Sequence, residues 1–277
     1  MKIPDNLTGK ELFDFLVKNK ALLEKAKKEE MKKADGITML SSYSVTPKGE
    51  ITKAEGSGEV PADASSIDAV LIINTTNLMD SHSDVHIPGI WKKSLQETKE
   101  FYHMQEHEWA FDKVISDEVK ALTKKYSWRD LGYDADGVTE ALVFISKIQR
   151  ERNPFMFDQY RKGYVKNHSV GMRYVRIKMC INSEDYPEEY ANWNEYIDEV
   201  INRDMAEAKG YFWAVLEAKI IEGSAVVRGS NWITPTQSMS ASSKSQSTEQ
   251  RPSDDTGEQP QEWDLDKAIK EFKLFNH

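Results

Sequence analysis

The chain has 277 residues, with 37 basic and 46 acidic side chains for a formal net charge of −9, and it holds a single cysteine. One cysteine excludes an internal disulfide scaffold and a cysteine-cage zinc site, and no apolar run approaches the roughly 18 residues of a membrane span. The N-terminus lacks the apolar stretch of a signal peptide and an acidic surface suits neither nucleic acid nor membrane, so a soluble protein of a reducing compartment is expected.

Residues 9–35 carry Leu12, Phe13, Phe15, Leu16, Leu22, Leu23 and Ala26 at helical spacing, with Gly36 as a stop, which predicts one helix. Its lysine-rich second half suits the negative end of the helix dipole and reads as a solvated face. Strands are predicted over residues 37–45 and 69–73, separated by the Gly/Ser/Pro/Asp-rich stretch 56–66. A short helix follows Pro88-Gly89 over residues 90–95. Further strands are expected at 113–116, 140–148, 168–180 and 214–227, with helices at 155–162 and 191–208. Strands and helices do not alternate regularly, so the pattern predicts an α+β domain around an antiparallel sheet or barrel.

Composition changes after Pro235. Residues 236–262 contain no branched aliphatic or aromatic side chain, too little apolar surface to offset ordering entropy, which predicts a disordered linker. Residues 263–277 follow as a short amphipathic tail, with Leu265, Ile269 and Phe272 on one face. The expected organisation is therefore an N-terminal helical extension (1–36), a main domain (37–235), the linker and the tail.

Two histidine pairs have i, i+4 spacing, His82/His86 and His103/His107. The second reads His103-Met-Gln-Glu106-His107, the H-x-x-E-H order of inverted zinc peptidases, which on a helix would put both imidazoles on one face. A serine hydrolase instead needs a hydroxyl, an imidazole and an orienting acceptor that converge in space. No G-x-S-x-G elbow is present, and composition and periodicity do not choose among the serines.

Four segments, in order, resemble the tailed-phage prohead (head maturation) serine protease family of the HK97 type. They are Met79-Asp80-Ser-His-Ser-Asp84 running on to Pro88-Gly89-Ile-Trp; Met104-Gln-Glu-His107-Glu-Trp; Val165-Lys-Asn-His168-Ser169-Val-Gly171-Met-Arg173; and Glu222-Gly-Ser224-Ala-Val226 running on to Asn231. The resemblance covers roughly residues 67–235. It departs at Ser83, where the family often has glycine, and at Gly229-Ser230, where a proline usually precedes the asparagine. The stretch 178–210 looks like an insertion.

The resemblance implies a barrel-centred, antiparallel α+β fold like that of herpesvirus assemblins. It implies Ser169 as nucleophile, His107 as general base and Glu222 as the orienting carboxylate, with Gly171 and Arg173 supporting the oxyanion. It also implies an endopeptidase without cofactor or metal, acting in the procapsid or host cytoplasm. Its partners would be scaffold and major capsid protein, and it would cut or associate with itself. A zinc peptidase built on His103 and His107, or a non-catalytic capsid-associated protein, stands as the alternative. His168 neighbours Ser169, but adjacent strand residues face opposite ways, so it is not expected to serve as base. The cysteine, Cys180, lies outside every motif.

Overall fold

The structure, a computed structural model, describes residues 3–4, 6–30 and 60–242. The strand expected at 37–45, the linker beyond 242 and the tail helix lie outside the described residues. One compact unit runs to Ser242.

The single helix expected over 9–35 is two helices, α1 (Gly9–Lys18) and α2 (Lys20–Glu29). They break at Asn19, whose backbone N–H and side-chain amide both donate to the Phe15 carbonyl, closing the first helix locally. The pair is no separate extension. Leu16 and Leu23 are buried in the main core, and the Phe13 ring packs against Gly210.

Among the described residues nine strands form two open sheets. The first, in order β5-β6-β1-β9, is antiparallel throughout and contains β1 (Ser66–Thr75), β5 (Val119–Ser127), β6 (Val138–Gln149) and β9 (Thr236–Ser242). The second is built on β8 (Tyr211–Val226), the longest strand at 16 residues. β7 (Asn167–Ile181) pairs antiparallel along one edge of β8. On the other edge, β2 (Asp84–His86) and β3 (His103–Gln105) lie in tandem and parallel to it, and β4 (Val114–Ser116) continues outward from β3. The α+β class is as expected, but the barrel is not seen: neither sheet closes on itself, and the second is mixed. The physical reason lies in β8, which spends one whole edge on β7 and fills the other with two short strands.

β8 is rich in aromatic and branched residues that suit a strand covered on both faces. Trp213 and Val215 enter the main core between the sheets, and Phe212 and Ala214 enter a second cluster. That second cluster is roofed by the 178–210 stretch, which forms α5 (Pro187–Tyr196) and α6 (Arg203–Lys209) and lays Trp193, Ile197 and Val200 over it. α3 (Lys92–Glu97) and α4 (Pro154–Arg161) are the remaining α-helices among the described residues, the latter N-capped by Asn153, whose side chain accepts from the Met156 N–H. The sheets approach closely enough that a Cβ on Gly223 would stand 2.5 Å from the Phe144 ring.

Four strands have no counterpart in the sequence patterning: β2 and β3, three residues each, and the longer β5 and β9. In β5 lysines interrupt the apolar signal; Lys120, Lys124 and Lys125 suit its place at a sheet edge, where such residues discourage strand addition. β9 corrects the linker expected from residue 236. Residues 236–242 pair with β1 from Ser66 to Leu71, and Met239 is buried. Backbone pairing supplies there what the small polar side chains lack.

A buried polar chain crosses the space between the sheets, and its protons can be assigned. The Thr234 carbonyl only accepts, so His168 Nδ1 (3.0 Å) is the donor and His168 Nε2 is bare. Tyr160 therefore donates its hydroxyl proton to His168 Nε2 (2.9 Å). The Tyr160 oxygen in turn accepts from His103 Nε2 (2.9 Å), leaving His103 Nδ1 to accept from the Ser146 hydroxyl (3.0 Å). Every group in the run is neutral. Burial holds His103 well below the usual imidazole range, with His168 adding to the effect, and it lowers His168 to about 4.

Burial also lowers His86 to about 4. These three imidazoles are neutral in the fold and gain a proton near 6.5 once unfolded, so the stability they confer is present above about 6.5 and lost as pH falls toward 4. Asp80 acts oppositely, raised to about 6 by burial and the nearby Asp84, but it is one group against three. Stability measured by chemical denaturation is expected to fall between pH 7 and 4.5, and Tyr160→Phe, which orphans two buried ring nitrogens, to cost about 2–4 kcal/mol. Ending the chain at 235 instead of 242 removes β9 and is expected to lower the melting temperature by about 5 °C or more, the shift for about 2 kcal/mol.

Candidate active site

β7 alternates strictly where the candidate residues lie. Val170 and Met172 enter the main core, and His168 joins the polar chain between the sheets. Ser169, Gly171 and Arg173 therefore share the opposite face. Across the strand pair, Ser169 stands opposite Ser224 and Gly171 opposite Glu222. Directly paired residues put their Cβ atoms about 4.5–5.5 Å apart on one face.

Glu222 reaches that face because β8 carries a bulge. The register passes from Met172–Ile220 to Gly171–Glu222, leaving Ile221 as one extra residue in β8. Plain alternation would point Glu222 the same way as Ile220, into the core. The inserted residue turns it to the side of Ser169, a re-aiming for which bulges are common beside functional sites. Its carboxylate then lies over Gly171: a Cβ built there would stand 1.9 Å from Glu222 Oε1 and 2.8 Å from its carboxyl carbon. Only a residue without a side chain leaves this space.

His107 arrives from the end of β3. Glu106 and His107 both adopt left-handed backbone angles, with φ of 51° and 57°, and the turn closes when the Glu108 N–H donates to the Gln105 carbonyl. Two successive non-glycine residues in this region are uncommon and are held from outside. The Glu106 N–H donates to the Ala225 carbonyl, and its carboxylate accepts from the Val227 N–H. Ser224 anchors the next residue, accepting from the His107 backbone N–H (3.0 Å) while donating to Glu222 Oε2 (2.6 Å). The imidazole Nδ1 meets the other carboxylate oxygen, Oε1, at 2.5 Å.

Glu222 is 0% exposed, His107 3% and Ser169 7%. An acceptor at Nδ1 fixes the tautomer, so the proton sits on Nδ1 and Nε2 carries a free lone pair. His107 Nε2 is indeed buried without a hydrogen-bond partner. No hydrogen bond joins it to the Ser169 hydroxyl. Of the serines nearby, Ser224 is fully buried with its hydroxyl spent between Glu222 and the His107 backbone, whereas Ser169 lines a small cleft together with Asn74, Asp80, His82, Tyr174 and Asn231.

The structure thus brings Ser169, His107, Glu222 and Gly171 to one place. Gly171 makes room for the carboxylate. Arg173 lies farther along the same strand, exposed and opposite Lys219. His168 faces away from Ser169, as strand alternation requires. The H-x-x-E-H helix is not formed: His103 lies on a strand, both of its ring nitrogens are engaged by Ser146 and Tyr160, and His107 turns the other way to Glu222. Among the described residues no three His, Cys, Asp or Glu side chains gather as metal ligands, and no helix is long and apolar enough to cross a membrane. Burial pushes the Cys180 thiol up to about 12, so it is no thiolate at neutral pH. Asp80 builds its turn, accepting at Oδ1 from the N–H groups of His82 and Asp84, and Ser83 within that turn has φ of 60°, the conformation that glycine takes freely.

Ser224 was missed as a site residue, although a hydroxyl two positions after a buried acid shares its face and is a natural second partner for it. Gly171→Ala is expected to push the carboxylate off His107, removing the downfield Nδ1 proton resonance of that imidazole, and to cost about 1–3 kcal/mol through overpacking. Proton NMR and a denaturation curve measure the two effects.

Comparison with known proteins finds no matching family model, no similar curated protein and no similar solved structure.

Proposed function

We propose that the chain is a serine endopeptidase. The observation that carries this reading is the buried Glu222–His107 pair, anchored by Ser224 directly across the strand pair from Ser169. Glu222 holds the Nδ1 proton and so keeps Nε2 basic. When a peptide carbonyl enters the cleft, Ser169 Oγ forms a bond to the carbonyl carbon and passes its proton to His107 Nε2. The imidazolium so formed is stabilised by the carboxylate beside it. It then protonates the departing amine as the C–N bond breaks, leaving an acyl-enzyme on Ser169. Water, deprotonated by the same nitrogen, releases the acid and restores the hydroxyl.

Support for this pairing comes through Ser224, which faces Ser169 across the strands and accepts from the His107 N–H; serine–imidazole hydrogen bonds commonly tighten only when substrate binds. Substrate class comes from the resemblance to prohead proteases: scaffold and major capsid protein within a viral procapsid, with self-cleavage. The same resemblance carries kinship with the assemblin fold, here with both sheets open.

Co-expression with capsid and scaffold protein tests this. Wild type is expected to cleave, Ser169→Ala and His107→Ala to lose about 10³-fold or more, and a chelator to change nothing. Cleavage that survives Ser169→Ala but stops with chelator would favour metal chemistry. A folded wild type that binds capsid protein without cutting it would favour a non-catalytic role.

A further inference from the structure

Asp84 belongs to the first segment of the resemblance, is fully buried and has no part in the proposed reaction. Its carboxylate has two donors from distant parts of the chain. Lys27, on α2, reaches Oδ1 with its ammonium, which also sits 5.5 Å above the Trp213 ring. The Tyr174 hydroxyl donates to Oδ2 at 2.7 Å. Through its backbone Asp84 also fixes Asp80: the Asp84 N–H donates to Asp80 Oδ1 (3.0 Å), and the Asp80 N–H donates to the Asp84 carbonyl (2.9 Å).

Asp80 and Tyr174 are two walls of the cleft onto which Ser169 opens; His86 and Asn74 are two more. Lys27 lies outside it. Having given its one proton to Asp84, Tyr174 presents only lone pairs to His86 Nε2, 3.4 Å away, while His86 Nδ1 donates to Asn74 Oδ1 at 3.1 Å. Tyr174 is thus tied to a buried carboxylate that the Lys27 ammonium neutralises in a dry environment.

We propose that Lys27 is a positioning residue for the reaction at Ser169, acting through Asp84 on the Asp80 and Tyr174 walls of the cleft. This role rests on the serine-peptidase reading. Without the cation, the buried Asp84 carboxylate loses its counter-charge and its hold on the Tyr174 hydroxyl changes. The tyrosine hydroxyl is then released to donate to His86, and the two walls close together. Substrate seating suffers, while the Glu222–His107 pair, whose hydrogen bonds involve neither Asp84 nor Tyr174, is untouched.

The test uses the full chain with Lys27→Met, Lys27→Gln and Lys27→Arg, each first checked for folding by its melting curve. Two readouts follow: steady-state cleavage of a capsid-derived peptide, and the ring nitrogen shifts of His86 and His107 by NMR. The two uncharged variants are expected to raise KM about tenfold or more with kcat within about threefold, a loss of binding rather than chemistry. They should move the His86 signals and leave those of His107 in place, and Lys27→Arg should restore all of them. Wild-type KM in a folded Met or Gln variant overturns the role, as does failure of arginine to restore it. Unfolding of both uncharged variants assigns Lys27 to folding alone and overturns it too. A wild-type chain inert toward the peptide, with His86 still responding to the charge, sinks the peptidase reading itself and this role with it.

Discussion

A carboxylate with no contact to water governs this molecule. Glu222 sits on the central strand of the mixed sheet, and an ion there is tolerable only if its lone pairs are filled. His107 takes one oxygen and Ser224 the other. That requirement explains features that look unrelated at first: the extra residue at Ile221, the missing side chain at Gly171 and the left-handed turn at Glu106-His107. Each is a local irregularity with a cost. Together they satisfy one buried charge, and removing either partner would leave it uncompensated at about 3–5 kcal/mol.

The two faces of β7 carry polar systems of opposite character. Between the sheets, Ser146, His103, Tyr160, His168 and Thr234 form a closed run in which every proton has one place. Such a run is rigid and inert, and it locks the strand that carries Ser169. On the other face the run is left open at one atom, His107 Nε2, which has a lone pair and no donor. His168 and His107 thus differ in their surroundings: one chain of hydrogen bonds is complete and the other ends on an open acceptor.

Much of the architecture was legible in the sequence where residue pattern and environment agree. β1, β6, β7 and β8 announced themselves through runs of branched and aromatic residues, and α4 through its helical spacing. What escaped depended on partners distant in the chain. β9 has little apolar content to betray it, Met239 and Ala241 alone, and exists because β1 offers an edge. The break at Asn19 is made by a side-chain amide turned back on Phe15. In the site, the segments holding Ser169, His107 and Glu222 stood out only by resemblance, since a serine on a strand is ordinary. Alternation alone would have pointed Glu222 into the core; the bulge that redirects it leaves no mark in Ala218-Lys-Ile-Ile-Glu222. Ser83 shows the converse, a departure in residue type at a position whose backbone still takes the conformation that favours glycine.

The tandem seating of β2 and β3 along one edge of β8 has a consequence for how the molecule is made. Both strands are synthesised more than a hundred residues before the strand that holds them, and β7 also waits for β8. Only the short β3–β4 pair is local enough to assemble in advance, so most of this sheet's contacts are long in sequence and slow to form. During synthesis, His107 and Ser169 emerge from the ribosome as unorganised side chains. They meet only once residues 211–226 have been translated and threaded between them. A chain interrupted before that point carries every residue of the resemblance's first three segments and none of the arrangement.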